Sequence, residues 1–291
     1  MRVGLAAVLL VGFLAPGAAG ESAAPILLKL KSSPDLGQTS ITKEQTRSEL
    51  SMRITDNDGK TLNSRRDSQS AEAAFSETTL RQTPGGREFR RRYERVFKTD
   101  RTGTRLLPQS GKTLLILERN GKFTIRNESG LPLEPAEIQD LSKELELGRK
   151  VAERNFCVPT SPVAVGQVWS IAPGEASVCF NTLGELEPSG SSASGKLLRT
   201  YGKDGRTYGT IEIDLALRIK NMGPLRFDSP AVFNAKVRVD GCIDGASPEG
   251  GLSIAGTLEG SSHPQGDPSQ PVLHVKLDLS GDSRTSVGAA R

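Results

Sequence analysis

Few side chains in this sequence are of the types that perform chemistry, so each can be judged by the residues around it. There are two histidines, His263 in a Pro/Gly-rich stretch and His274 on the wet face of an alternating strand, and both read as solvated surface residues. A histidine metal centre or a Ser/His hydrolase needs partners at defined spacing, and neither histidine has them. Ser40-Ile41-Thr42-Lys43 has the Ser-x-x-Lys spacing of serine acyltransferases, but the companion motifs are missing and so short a match arises by coincidence. Asp56-Asn57-Asp58-Gly59 looks like the start of a calcium loop, with Asp67 at its final acidic position. Lys60 occupies a ligand position, however, and Thr61 stands where the sharp turn needs glycine, so the stretch reads as a hairpin turn. No set of acid, base and nucleophile assembles. The expectation is a protein that is not an enzyme, with no catalytic residue, no metal and no cofactor.

The three cysteines, Cys157, Cys179 and Cys242, gain meaning from the start of the chain. Met1-Arg2 is positive, Val3 to Leu14 is an apolar run too short to span a bilayer, and Pro16-Gly17 precedes the small residues Ala18-Ala19-Gly20. These features predict a signal peptide over residues 1–20. No cysteine precedes Cys157, so no lipid-modified cysteine sits at the cleavage site, and no second long apolar run follows. The expected product is secreted or periplasmic, without a transmembrane segment. In that setting disulfides persist. Three cysteines make one bond and leave one thiol over. Loop length favours Cys157 with Cys179, a closure that contributes about 3 kcal/mol. The alternatives are a bond from Cys242 to either of them, or three buried thiols acting as small hydrophobes.

A hydrophobic share of 35% with 25% charged residues argues against a wholly disordered or membrane-embedded chain. The net charge of +4 is unevenly distributed. Between Arg81 and Arg105 lie nine basic and three acidic residues, so that segment carries +6 and the rest of the leaderless chain −3. Arg90, Arg91, Arg92 and Arg95, beside Phe89 and Tyr93, form a candidate basic patch for an anionic envelope surface. Nucleic acid is not expected as a partner of an exported protein. The competing reading is a solvated face that serves solubility, with Phe89, Tyr93 and Phe97 as the inner stripe of a strand or helix.

What must position these residues is a set of strands. From Ile211 through Ile213, Leu215, Leu217 and Ile219 every second residue is apolar, and the pattern returns in Phe233 to Val239, in Leu273 to Leu279 and more weakly in Leu252 to Leu258. Turn residues separate these runs, as in an antiparallel meander. In the N-terminal half Ile26, Leu28 and Leu30 alternate, as do Leu50, Met52 and Ile54, and Asn120-Gly121 between short apolar runs is a strong hairpin signal. Residues 66–82 carry little periodicity and receive no element. Pro135, Ile138, Leu141 and Leu145 predict a helix over about 135–154, and Pro173, Ala176, Phe180 and Leu183 a shorter one. The fold class is mainly β (α+β): a curved antiparallel sheet, or half-barrel, wrapped around one or two helices. Residues 21–291 read as a single exported domain, with Pro188 to Gly195 as a loop where a sub-boundary would fall.

One stretch resembles a known group. Val163-Ala164-Val165-Gly166-Gln167-Val168-Trp169, after Pro159 and Pro162, taken with Phe89 to Val96, the Gly111 hairpin and Gly205-Arg206-Thr207-Tyr208, resembles uncharacterised secreted bacterial proteins. These share the half-barrel of periplasmic lipoprotein carriers and related lipid-binding proteins. The resemblance implies a curved sheet around a helix with an apolar cavity, and no catalytic residue. The resulting expectation is an exported protein that binds a lipid or other hydrophobic molecule on a concave sheet face. Ile211, Ile213, Leu215, Leu217, Val237 and Leu277 would line that face, unless the stripe is plain core. The alternative is an envelope interaction module that docks through Arg81 to Arg105. No protein partner is legible.

Overall fold

Alternation of apolar and polar side chains becomes one antiparallel sheet of twelve strands in the computed structural model. The structure describes residues 24–83, 85–153, 157–179, 184–223, 225–263 and 270–288. The expected leader lies outside the described residues, as do Phe180 and Leu183 of the second helical stripe. In chain order the elements are β1 (Thr39–Thr55), β2 (Thr61–Thr83), β3 (Gly86–Asp100), β4 (Gly103–Leu106), β5 (Thr113–Arg119), β6 (Lys122–Asn127) and α1 (Pro135–Glu153). There follow β7 (Val168–Ser170), α2 (Pro173–Cys179), β8 (Glu185–Lys203), β9 (Arg206–Met222), β10 (Leu225–Cys242), β11 (Gly250–Ser262) and β12 (Val272–Gly288).

The strand order is β6-β5-β3-β2-β1-β12-β11-β10-β9-β8-β7, with β4 beside β3. Two local meanders are therefore joined side by side through β1 and β12, which pair from Thr39 opposite Gly288 to Thr55 opposite Val272. Turn chemistry fixes the local registers. Asn120 and Gly121 take φ of 50° and 74° between the paired residues Arg119 and Lys122, the two positive values of a type I′ turn. Asp204 and Gly205 repeat this between Lys203 and Arg206. At Asp56 the carboxylate accepts from the backbone N–H groups of Asp58 and Lys60 at 3.1 and 2.8 Å, so the calcium-like tetrad is a turn that consumes its own acid.

Three local expectations need correction. Residues 66–82, given no element, belong to β2, whose inner positions Phe75, Glu77 and Thr79 keep a period of two with polar members. Pro188 to Gly195, read as a loop, is part of β8. A register shift between Glu187 and Ser192 bulges out the proline, which has no N–H for the ladder. The alternating Ile26, Leu28 and Leu30 make no strand of their own. Residues 24–38 cross the sheet end, with Ile26 bridged to Val163, Lys29 bonded to Ile243, and Gly37 bonded to Thr79.

Among the described residues the buried apolar side chains form two clusters. One gathers Phe75, Phe89, Tyr93, Val96, Leu114, Ile116 and Ile125 of the sheet with Leu141 and Leu145 of α1. The other gathers the β9 stripe with Trp169, Ile171, Ala176 of α2, Phe227, Phe233, Val237 and Leu258. Helix α1 buries Glu137 in line with Leu141 and Leu145, where the sequence pattern pointed to Ile138, because Lys112 meets that carboxylate at 2.8 Å. Cys157 and Cys179 are bonded with Cα atoms 6.4 Å apart, tying the segment after α1 to the end of α2. Cys242 is a buried free thiol.

Two measurements test this packing. A Cβ at Gly195 would stand 2.3 Å from ring carbons of Trp169, whose Nε1 donates to the Cys157 carbonyl at 3.3 Å. Gly195→Ala should cost about 1–3 kcal/mol by overpacking and shift the emission of this single tryptophan. An unchanged spectrum and denaturation midpoint would show that the ring does not rest there. Replacing Cys157 and Cys179 together by serine should lose about 3 kcal/mol in chemical denaturation, and a loss near zero would mean the bond constrains nothing.

Candidate functional site

Register decides which side chains meet on the inner face of the sheet. One transverse row runs Val96, Ala73, Glu44, Ser283, Leu252, Val239, Ile211, Leu197 from β3 to β8. The adjacent row runs Tyr93, Phe75, Thr42, Thr285, Gly250, Gly241, Gly209. The second row is bulky at its β3 and β2 end and small from β1 onward. Thr42 and Thr285 bond to each other through their hydroxyls at 3.1 Å, and the three glycines present no side chain at all. Where leucine-sized groups would complete the core, the sheet instead leaves a cavity of about 820 Å³. Leu145, Leu147, Val151 and Ala152 of α1 roof it, Phe75, Phe123, Ile213 and Val239 form apolar walls, and Leu30 to Ser33 close one end.

One wall of this cavity is charged. Glu77 on β2 stands opposite Arg91 on β3, and the Arg91 guanidinium donates to Glu77 Oε2 from Nη2 at 2.8 Å and from Nε at 3.1 Å. Its Nη1 donates to Glu144 of α1 at 2.9 Å and to the Tyr93 hydroxyl at 3.2 Å. Phe75 lies beneath the guanidinium at 4.6 Å. Arg87 completes the set, bonded to Glu77 at 2.9 Å and to Glu118 at 3.3 Å. Burial alone would lower the Arg91 pKa, but Tyr93, Glu77 and Glu144 outweigh it, so the guanidinium keeps its charge. Burial pushes the Tyr93 hydroxyl up to about 12, against the opposing pull of Arg91.

Glu44 differs from the other carboxylates of this wall. It is open to solvent inside the cavity yet enclosed by protein, and among the described residues its carboxylate has no hydrogen-bond or ion-pair partner. Enclosure is the larger reason that its pKa rises above the ordinary value, with Glu144 adding to the rise and Arg91 opposing it.

The residues singled out in the sequence fall in different places. Ile213 is on the cavity wall. Ile211, Leu215, Leu217, Val237 and Leu277 belong to the closed apolar cluster. The arginine patch is divided by strand alternation: Arg91 points inward, whereas Arg90 and Arg92 are exposed on the opposite face, Arg90 against Glu128 at 2.8 Å. Arg95 lies over the Phe97 ring and lines a shallower groove on that outer face with Lys43 and Arg238. His274 bridges the hydroxyls of Thr55 and Ser261, each at 3.1 Å, and His263 bonds Asp228. Among the described residues no group of three or more His, Cys, Asp or Glu side chains is placed to hold a metal ion. Cys242 donates to Asp244, and burial first, then that hydrogen bond, pushes its thiol up, so it is poorly nucleophilic. Glu44, Glu77 and Glu144 went unnoticed in the sequence. For Glu77 the signal was its two-residue spacing between Phe75 and Thr79.

No family model matches the chain, and no curated protein is similar to it in sequence. Among solved structures the chain is similar to Pseudomonas aeruginosa OpdQ at 7% identity, covering 86% of this chain and 98% of that one with a TM-score of 0.25. It is similar to an outer membrane channel from Pseudomonas putida F1 at 8% identity, covering 87% and 97% with a TM-score of 0.20. Overlaps at these TM-scores fall below those of a shared fold. No helix among the described residues is long and apolar enough to cross a membrane.

The charged wall makes a direct test available. Arg91→Met leaves Glu144 without its partner and Glu77 with Arg87 alone, so it should cost about 3–5 kcal/mol in urea denaturation, while Glu77→Leu combined with Arg91→Met should cost clearly less than the sum of the two single changes. Additive losses would mean that the two side chains do not form one unit.

Proposed function

We propose that this is an exported, non-enzymatic protein that holds a lipid or other hydrophobic molecule in the cavity between α1 and the inner sheet face. The observation that carries the reading is the 820 Å³ space itself, which lies within the range of small-molecule sites and presents aliphatic and aromatic groups from α1, β2, β6, β9 and β10. A half-barrel shape belongs to the same proposal. The chain leaves the sheet at one edge, β6, and rejoins it at the other, β7, through residues 128–167. Phe123 of β6 and Ile213 of β9 line the same cavity, although eight strand spacings, about 38 Å if laid flat, lie between those strands. A curled sheet brings them together, with α1 packed on the β5 and β6 side and α2 on the side of β8 and β9. The Cys157–Cys179 bond supports export, since such bonds persist in oxidising compartments.

The experiment is binding of the neutral apolar fluorophore N-phenyl-1-naphthylamine to delipidated protein, compared with Leu252→Trp, which places a large ring in the cavity. Saturable, blue-shifted emission is expected with the native chain and at least about tenfold weaker binding with the variant. A native chain that fails to bind, or a variant that binds equally well, would overturn the reading.

A further inference from the structure

The charges around the cavity do not balance. Glu44, Glu77, Glu118 and Glu144 share two guanidinium groups, those of Arg87 and Arg91. The other ionic residues of the lining have separate partners: Arg149 with Glu153, Lys31 with Asp35, and Glu249 with Lys203. The wall therefore carries two more negative charges than positive ones. The surplus is least compensated at Glu44. Its neighbours in the transverse row are Ala73 and Ser283, and neither supplies a positive charge.

A lone carboxylate in such a position is an electrostatic cost that a bound cation relieves. In a concave, partly dry space the attraction is stronger than at an open surface, because fewer water dipoles screen it. Beside Glu44 the apolar walls continue through Phe75, Leu145 and Val151, which suits a hydrocarbon chain and not a hydrated metal ion. The hydroxyls of Thr42 and Ser283, next to Glu44 on the same inner face, can accept the remaining N–H bonds of an ammonium group.

We propose that the cavity selects an amphiphile with a cationic head group, an ammonium on an alkyl chain, with its charge at Glu44 and its chain beneath α1. This rests on the ligand-binding reading above and names the class of ligand. A fatty acid or phosphate-headed lipid is the disfavoured class, since its head would face the surplus of carboxylates.

The test is displacement of N-phenyl-1-naphthylamine near pH 7 by three ten-carbon probes that differ in the head group: decylammonium, decanol and decanoate. Decylammonium should displace the fluorophore at about tenfold lower concentration than decanol, equivalent to ~1.4 kcal/mol, with decanoate the weakest. In Glu44→Gln the ammonium and alcohol should come within about twofold of each other while the fluorophore and decanol bind as before, which shows that the variant is folded. If decanol and decylammonium displace equally from the native chain, or if Glu44→Gln keeps the preference, the head-group assignment is wrong although ligand binding stands. If neither the fluorophore nor any probe binds, the ligand-binding reading fails and this inference with it.

Discussion

The pairing of β1 with β12 is the constraint on which the rest of the molecule depends. Each of the two meanders is built from neighbours in sequence and could form its own hairpins, but neither alone makes the inner surface described above. The seam brings Ser40, Thr42 and Glu44 beside Ser283 and Thr285, and these small polar side chains occupy the centre of the sheet. A one-residue slip there would turn all of them outward and send Lys43, Gln45 and Arg284 into the interior. The register is held by the rows further along the same two strands: Leu277 and Val275 are part of the apolar cluster, and Leu50, opposite Leu277, packs against it.

Across the seam the two halves solve burial differently. On the β9 side the sheet is covered by aliphatic groups and α2, a closed arrangement stabilised by area removed from water. On the β3 side α1 is attached through Leu141 and Leu145 and also through ionic contacts, Lys112 with Glu137 near its start and Arg91 with Glu144 in its middle. Such contacts specify one position for the helix along the sheet, whereas leucine against leucine tolerates sliding. The cavity lies where these two kinds of cover meet.

How much of this could be read from the chain follows from the same distinction. The β9 stripe was plain because every inward residue from Ile211 to Ile219 is aliphatic and its outward neighbours are mostly charged. The Asn120-Gly121 hairpin was plain because its backbone angles need those residues. Strand β2 was hidden because Glu77, one of its inner positions, is charged, and nothing local announces that Arg91 will neutralise it. Three successive arginines looked like a patch, although a strand must send the middle one to the other face. The cavity was invisible for a different reason. It is made by the smallness of Thr42, Gly241, Gly250 and Thr285, which occur in four strands and are ordinary residues until the register sets them in a row.

The seam also has a consequence for how the molecule comes into being. Thr39 and Gly288 are opposite each other at one end of β1 and β12, and Thr55 and Val272 at the other, so more than two hundred residues separate every partner in this pairing. A chain that emerges from its N-terminal end delivers β1 first and its partner last. Until then β1 has β2 on one side and an unsatisfied row of amides on the other, the kind of edge that recruits strands from other molecules. Contacts of such long range close slowly. The last strand to arrive therefore protects the first, and molecules interrupted before β12 is complete would be exposed to aggregation through that edge even with the other local hairpins in place.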